Sequence, residues 1–533
     1  MRTQTLVLLA TSAALLLAGA ARAQYHDYRG EARVPDVVDE AELDAQHWFD
    51  QAQAALHVRQ DGVVRRGAAR SVVLFLGDGM SVPTLAAARA LLGQRKGRPG
   101  EEAELSFEGF PVAGLAKTYC VDDQVADSAC SATAYLCGVK ANRGTLGVTA
   151  RVERGNCSGS LREEARVDSV AAWALAAGKA VGLVTTTRIT HASPAGAFAH
   201  SADRAWESAA PDGCDDIALQ LVRGDPGRRF KVILGGGLRN FKPTSEGGAR
   251  EDGRDLVREW LDDERRCDET ATFAATASEL RAANLSATDR LLGLFSADHA
   301  PYHLERNPER DPSLSELTRA ALAVLRKSEN GFFLFVEGGR IDHAHHDNRA
   351  LLALDETLEF SEAVGAARGE PDTLLVVTAD HSHVMTYNGY SPRGHDILGA
   401  ARQTDRDGTR YMTLSYANGP GARPQVEGRR ADPSAEPGAG LPDWRWHADA
   451  PLGSETHGGE DVPVFAEGPG QHVFTGLYEQ SQLPHLMGYA ACLGPGLHAP
   501  ACGAAPPGVR ALPALLLALT AFILKQLTYY AFG

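Results

Sequence analysis

The sequence predicts an α/β fold, with a central, mostly parallel β-sheet flanked by helices on both faces and one irregular insertion. Three observations predict it. Short unbroken runs of Val, Leu, Ile and Phe recur along the chain, as strands covered on both faces require. Segments with helical apolar spacing lie between them, the alternation that builds a parallel sheet. Side chains of metal-ligating type follow the ends of nearly every run, where an open parallel sheet places its ligands.

In chain order, residues 1–23 open on Arg2, continue through an apolar stretch over 6–20 and close on Ala21-Arg22-Ala23. That is the pattern of a cleaved secretory signal, with a buried N-terminal helix as the alternative. Ala41, Ala45, Trp48, Phe49, Ala52 and Leu56 form an apolar stripe at helical spacing, either packed on its own domain or embracing a partner subunit. Strand-like runs cover 71–76, 181–187, 231–234, 331–336 and 372–378, with helical patterns over 169–177, 315–327 and 349–369. Residues 401–450, rich in Gly, Pro, Arg and Asp, read as an irregular insertion on a catalytic domain spanning 24–502. Gly503-Ala504-Ala505, a short spacer and the apolar run 511–524 fit a glycosylphosphatidylinositol signal over 503–533. Lys525 interrupts the run short of the roughly 20 residues of a membrane span, and a tail anchor or an ordinary terminal helix are the alternatives.

The 533 residues carry a formal charge of -15 and 44% hydrophobic residues. A full core is therefore available, and no basic cluster is present for a nucleic-acid partner. Eight cysteines in a secreted chain permit disulfides. Cys492 and Cys502 lie close together around Gly-Pro-Gly, and Cys120 and Cys130 flank a short polar loop. Asn284-Leu285-Ser286 and Asn156-Cys157-Ser158 are glycosylation sequons.

The chemistry sits behind the strands. Gly77-Asp78-Gly79 follows the first run, His191 and Ser193 follow the second, Glu337, Asp342, His343, His345 and His346 follow the fourth, and Asp380-His381-Ser382-His383 follow the fifth. Singly, Gly-Asp-Gly is a turn and a histidine is a surface or satisfied core residue. Together, the imidazoles and carboxylates make the mixed set that Zn²⁺ accepts, and Glu337 with the Ser193 hydroxyl suits Mg²⁺. Ser128 stands where a helix begins, as a nucleophile supplied with free N–H groups or as a plain N-cap.

Several motifs, in order from about residue 39 to 502, resemble animal alkaline phosphatases, and invertebrate forms in particular. They are Phe75-Leu76-Gly77-Asp78-Gly79-Met80, Asp127-Ser128-Ala129, Thr185-Thr186-Thr187-Arg188, His191-Ala192-Ser193-Pro194, Val336-Glu337-Gly338-Gly339-Arg340-Ile341-Asp342-His343, Thr378-Ala379-Asp380-His381-Ser382-His383 and Glu455-Thr456-His457-Gly458-Gly459-Glu460.

The resemblance implies a phosphomonoesterase with two Zn²⁺ and one Mg²⁺. Asp342, His346 and His457 would hold the first zinc, and Asp78, Asp380 and His381 the second, to which Ser128 bridges. Asp78, Ser193 and Glu337 would hold magnesium. Arg204 would grip the phosphate with two parallel hydrogen bonds, and His191, His345 and His383 would orient the ligands from outside. A phosphoserine intermediate, activity rising toward alkaline pH, a crown-like insertion, a homodimer and a lipid anchor on the outer face of the plasma membrane are implied with it.

Some positions depart from the family pattern. Ser296 follows Phe295 where many relatives place a Glu of a calcium site, and the segment after Asn240 is short. Asp311 remains, so calcium stays open. Cys120 with Cys130 suggests an invertebrate-like disulfide, Cys157 with Cys214 matches another family pair, and Cys137 and Cys267 are left over. Enzymes sharing this metal architecture also cleave phosphodiesters, move phosphate between carbons or hydrolyse sulfate esters. The Asp-Ser-Ala loop with Arg204 favours monoesters. A non-catalytic surface protein is disfavoured, because an unused cluster of ionisable groups costs stability.

Overall fold

In the computed structural model, residues 67–499 and Cys502 are described, apart from residues 264, 265, 267 and 426. The signal segment, the stripe around Trp48, Cys267 and the C-terminal tail lie outside them.

Ten strands form the main sheet. In chain order they are β1 (Ser71–Gly77), β2 (Val112–Lys117), β3 (Ala180–Arg188), β4 (Val232–Gly236), β5 (Ala271–Ala274), β6 (Arg290–Leu294), β7 (Phe332–Gly338), β8 (Thr373–Ala379), β9 (Val462–Glu467) and β10 (Gly476–Glu479). Across the sheet the order is β10-β2-β9-β8-β1-β7-β3-β4-β6-β5. All neighbours are parallel except β9, which runs antiparallel to both β8 and β2.

Every residue of β1, β7 and β8 is buried, so both faces are covered. This is why those strands read as continuous apolar runs. Among the covering helices, Val170–Ala176, Leu314–Leu325 and Ala350–Ala367 lie where the helical spacing placed them. Ser313 and Glu316 close a reciprocal capping box at the start of the second. Phe360 plugs the core under β1, edge-on to Phe75 and Phe107 with ring centroids 6.1 and 5.9 Å away.

The stretch read as irregular carries more order than its composition suggested. Ala400–Thr404 pairs with Arg410–Met412, and Leu414–Gly419 lies between Met385–Tyr387 and Ala448–Pro451 in a three-stranded sheet. These strands are short and partly exposed, and Trp446, fully buried, anchors the region.

Candidate metal and phosphate site

Four neighbouring strands, β8, β1, β7 and β3, bring their carboxyl ends together, and the site is built on the residues at and just beyond those ends. Asp78 succeeds β1 and Asp380 succeeds β8, in register through the Gly77 and Ala379 pairing. The Gly79 N–H donates to Asp380 Oδ1 at 2.9 Å, as does the His381 N–H, so the two loops are tied to one carboxylate. Gly79 has φ of 69°, and a Cβ there would collide with the His383 ring, so only glycine lets this loop pass.

Glu337, inside β7, accepts at Oε2 from the hydroxyls of Thr185 and, at 3.1 Å, Thr187 on β3. The Ser193 hydroxyl lies 3.3 Å from Asp78 Oδ2. Asp78 Oδ1 and Glu337 Oε1 are buried with no hydrogen-bond donor among the described residues. Burial, followed by the nearby carboxylates of Asp380, Asp342 and Glu337, pushes the Asp78 carboxyl well above the usual range. Burial likewise raises Asp380 and moves Glu337 up to about 7 against the pull of the Thr185 hydroxyl. Buried carboxylates that repel one another and lack donors call for a cation.

The imidazoles make the same demand through their tautomers. His346 Nδ1 lies 2.6 Å from the Glu455 carbonyl and His457 Nδ1 lies 2.7 Å from the Ala126 carbonyl. A carbonyl only accepts, so both Nδ1 atoms carry hydrogen and both Nε2 atoms present lone pairs. Those lone pairs face each other at 3.1 Å, with Asp342 Oδ2 3.4 Å from His346 Nε2 and Asp342 Oδ1 3.3 Å from His457 Nε2. Three acceptors converge there.

A second convergence lies alongside. His381 Nδ1 faces the Ser382 carbonyl at 3.3 Å, and its Nε2 faces Asp380 Oδ2 at 3.1 Å and Asp78 Oδ1 at 3.6 Å. The His381 and His457 rings stack 3.5 Å apart, so the two groups are adjacent. The donor chemistry fits two imidazole-and-carboxylate cation sites, with Asp78, Ser193 and Glu337 offering an oxygen-only third.

His383 binds neither convergence through a lone pair. Although burial opposes it, the carboxylates of Glu455 and Asp342 push the imidazole up to about 10, and its Nε2 holds Asp342 Oδ1 at 2.6 Å. His345, buried between the Thr84 hydroxyl at 3.0 Å and the Tyr416 hydroxyl at 2.9 Å, packs against His383.

Ser128 is the first residue of the Ser128–Cys137 helix. The capping role belongs to Asp127, whose side chain accepts the Cys130 N–H. The Ser128 and Ala129 N–H groups are thus left without an intrahelical acceptor. Ser128 Oγ lies 3.4 Å from His381 Nε2. Arg204 Nη1 binds Asp127 Oδ2 at 3.0 Å and its Nη2 donates to His191 Nε2 at 3.1 Å, which leaves further guanidinium hydrogens free to meet an oxyanion.

A serine hydroxyl at a helix start, beside two groups of converging acceptors and an arginine, is an arrangement suited to phosphoryl transfer, and comparison with known proteins gives the family. A sequence profile of alkaline phosphatases matches residues 69–493. The chain belongs to the alkaline phosphatase family. Membrane-bound alkaline phosphatase of Bombyx mori is 53% identical over 527 residues, covering 94% of this chain and 96% of that one. The tissue-nonspecific isozyme of Gallus gallus is 47% identical over 91% of this chain and 96% of its own length. Among solved structures, Thermus thermophilus alkaline phosphatase superposes with a TM-score of 0.59 at 27% identity, over 81% of this chain and 93% of that one. The chain is a phosphatase enzyme, and its family implies bound metal.

All the residues expected at the site of this alkaline phosphatase lie together, including those from the far end of the chain. Three neighbours went unassigned in the sequence. Asp127 orients Arg204, Glu455 orients His383, and His299 packs against His191 and His343 with ring centroids 5.2 and 4.2 Å away. The His191, His299 and His343 ring nitrogens lie close enough to suggest another metal site. However, His191 Nε2 accepts from Arg204 and His343 Nδ1 accepts from Arg340 at 2.8 Å. Their remaining nitrogens carry hydrogen, so they offer donors where a metal needs lone pairs.

Disulfides join Cys120 to Cys130, Cys157 to Cys214 and Cys492 to Cys502, while Cys137 is free and buried. Asp311, at the position that left calcium open, accepts the Asn307 N–H at 2.9 Å and pairs with Arg310 at 3.1 Å.

Proposed function

We propose that this alkaline phosphatase hydrolyses phosphate monoesters through a phosphoserine at Ser128, in a site that takes two zinc ions and one magnesium ion. The supporting observation is that two adjacent groups of converging lone pairs, with their His381 and His457 rings stacked 3.5 Å apart, lie beside a serine hydroxyl 3.4 Å from His381 Nε2. Asp342, His346 and His457 would hold one zinc, Asp78, Asp380 and His381 the other, and Asp78, Ser193 and Glu337 magnesium. Ions bound there would supply Lewis acidity to the entering and leaving oxygens.

The chain's own groups do the rest. The phosphoryl oxygens meet the Arg204 guanidinium and the N–H groups at the helix start. Ser128 Oγ gives up its proton to solvent and attacks phosphorus in line, the P–O bond to the alcohol breaks, and the alcohol leaves with a proton. Water then attacks the phosphoserine, the P–Oγ bond breaks, and inorganic phosphate departs as Ser128 regains its hydrogen. Asp127 keeps Arg204 aligned through both displacements.

Arg204→Ala is expected to remove charge-assisted bonds worth about 1.5–3 kcal/mol, lowering kcat/KM for an aryl phosphate by roughly 10- to 100-fold. Steady-state kinetics on the metal-loaded variant check this, and unchanged kcat/KM would remove Arg204 from the phosphate clamp. Because metal-free Glu337 holds its proton up to about 7, magnesium must displace that proton at lower pH. Magnesium affinity, measured by calorimetry, is expected to drop about tenfold for each pH unit below that value. Affinity that stays flat from pH 6 to 8 would exclude Glu337 as a ligand.

The small-residue site and apolar tail after Cys502, together with the membrane-bound Bombyx mori relative, support a glycosylphosphatidylinositol anchor on the outer face of the plasma membrane, and the family resemblance supports a homodimer. Among the described residues no helix is long and apolar enough to cross a membrane. Treatment of intact cells with a phosphatidylinositol-specific lipase should release the enzyme. Retention would favour a spanning tail.

A further inference from the structure

We propose that the Cys120–Cys130 disulfide is a positioning element of the active site, holding Asp127 where it aligns Arg204 and Ala126 where it aligns His457; this rests on the phosphatase reading above.

The bridge links two ends of the machinery. Cys120 lies three residues beyond β2 and Cys130 is in the first turn of the Ser128–Cys137 helix, so the closed loop contains Ala126, Asp127 and Ser128 themselves. The Cys130 N–H donates to Asp127 Oδ1 at 3.1 Å, and the Gly144 N–H donates to the same oxygen at 3.0 Å. That leaves Oδ2 for Arg204 at 3.0 Å. Fixing the Cys130 backbone therefore fixes one of the two donors that orient the carboxylate facing the phosphate clamp. Next to it, the Ala126 carbonyl takes the His457 Nδ1 hydrogen at 2.7 Å, the bond that turns the His457 lone pair inward.

Packing alone holds this loop weakly. Cys120, Cys130, Ala126 and Ala141 form an apolar cluster of their own, separate from the main core, and Val121 and Val125 in the loop are exposed. Bonds to residues 140–144, such as Val121 N–H to the Ala141 carbonyl at 3.0 Å and Lys140 Nζ to the Tyr119 carbonyl at 2.7 Å, hold its outer part, and the sulfur link closes the two ends of the loop on each other. A loop with so little buried area opens locally more easily than the core. The other two bridges lie elsewhere. Cys492–Cys502 ties the C-terminal turn, where its cysteines bond to Gly488, Gly496 and Ala499.

The test uses the full-length, metal-loaded enzyme and inorganic phosphate as a competitive inhibitor. In Cys120→Ala/Cys130→Ala the phosphate KI is expected to rise about tenfold or more, with KM for an aryl phosphate following it, whereas Cys492→Ala/Cys502→Ala keeps the parent KI. Asp127→Asn should weaken phosphate strongly in the parent but add little in the bridge-free variant, since both act through one carboxylate. A bridge-free enzyme with KI within twofold of the parent, whatever its melting temperature, overturns the proposal, as does full additivity with Asp127→Asn. Should the double variant fail to fold, reducing the parent with a water-soluble phosphine, with opening of Cys120–Cys130 verified by thiol mass mapping, gives the same comparison. Failure of the phosphatase reading is a different result, because the parent itself would then neither hydrolyse esters nor bind phosphate.

Discussion

Replacing Ser128 by alanine is expected to cut phosphate-ester turnover by about a thousandfold or more, since the change removes the nucleophile and leaves the rest of the site intact. The substitution costs little in fold. Ser128 is 2% exposed and its hydroxyl makes one long contact, 3.4 Å from His381 Nε2, so about 1 kcal/mol of stability is at stake. Acid quenching during turnover of a radiolabelled ester should trap phosphate on the parent and none on the variant. Full turnover by Ser128→Ala would place the attacking oxygen elsewhere, whereas lost turnover with undiminished labelling would move the covalent step to another side chain.

Stripping the metals with a chelator is expected to abolish activity and to lower the melting temperature by on the order of 10 °C. Ligands at a thousand times their dissociation constant each contribute about 4 kcal/mol to the folded state, and a domain of this size shifts by only a degree or two per kcal/mol. The structural cause is local. Without cations, Asp78, Asp380 and Glu337 sit buried against one another with their carboxyls pushed upward, and the His346 and His457 lone pairs oppose each other at 3.1 Å. The chelated protein should also take up protons near neutral pH as Glu337 protonates, and calorimetry in two buffers measures this. Re-addition of zinc and magnesium should restore both readouts. A chelated enzyme that keeps its melting temperature and turnover would sink the metal assignment.

The site was more legible than the sheet that carries it. Asp78, Glu337 and Asp380 stand immediately after or within fully apolar runs, so the rule that ligands follow parallel strands found them without any contact information. The short edge strands β5 and β10 have no such run, because edge strands bury less and can be polar, and β2, although paired on both sides, is half exposed on its faces. β6 went unread for a different reason. Its apolar stretch is broken by Gly293, and His299 beyond it was lost along with the strand. The plain N-cap reading of Ser128 fails because Asp127 takes the cap, a choice between adjacent residues that spacing cannot make. Glu455 was invisible as an orienting group because its partner, His383, is 72 residues away.

The reversed direction of β9 decides which part of the chain completes the Asp342 and His346 group. His457 stands just ahead of that strand, and only because β9 opposes its neighbours does its starting end lie over the same rim as the ends of β1, β7 and β8. A nascent chain leaving the ribosome already owns Asp78, Asp380 and His381 by the time β8 has emerged, and it still lacks the donor that completes the Asp342 and His346 group. A chain that ended before residue 457 would therefore keep the Asp78, Asp380 and His381 group whole while the Asp342 and His346 group lacked one of its three donors.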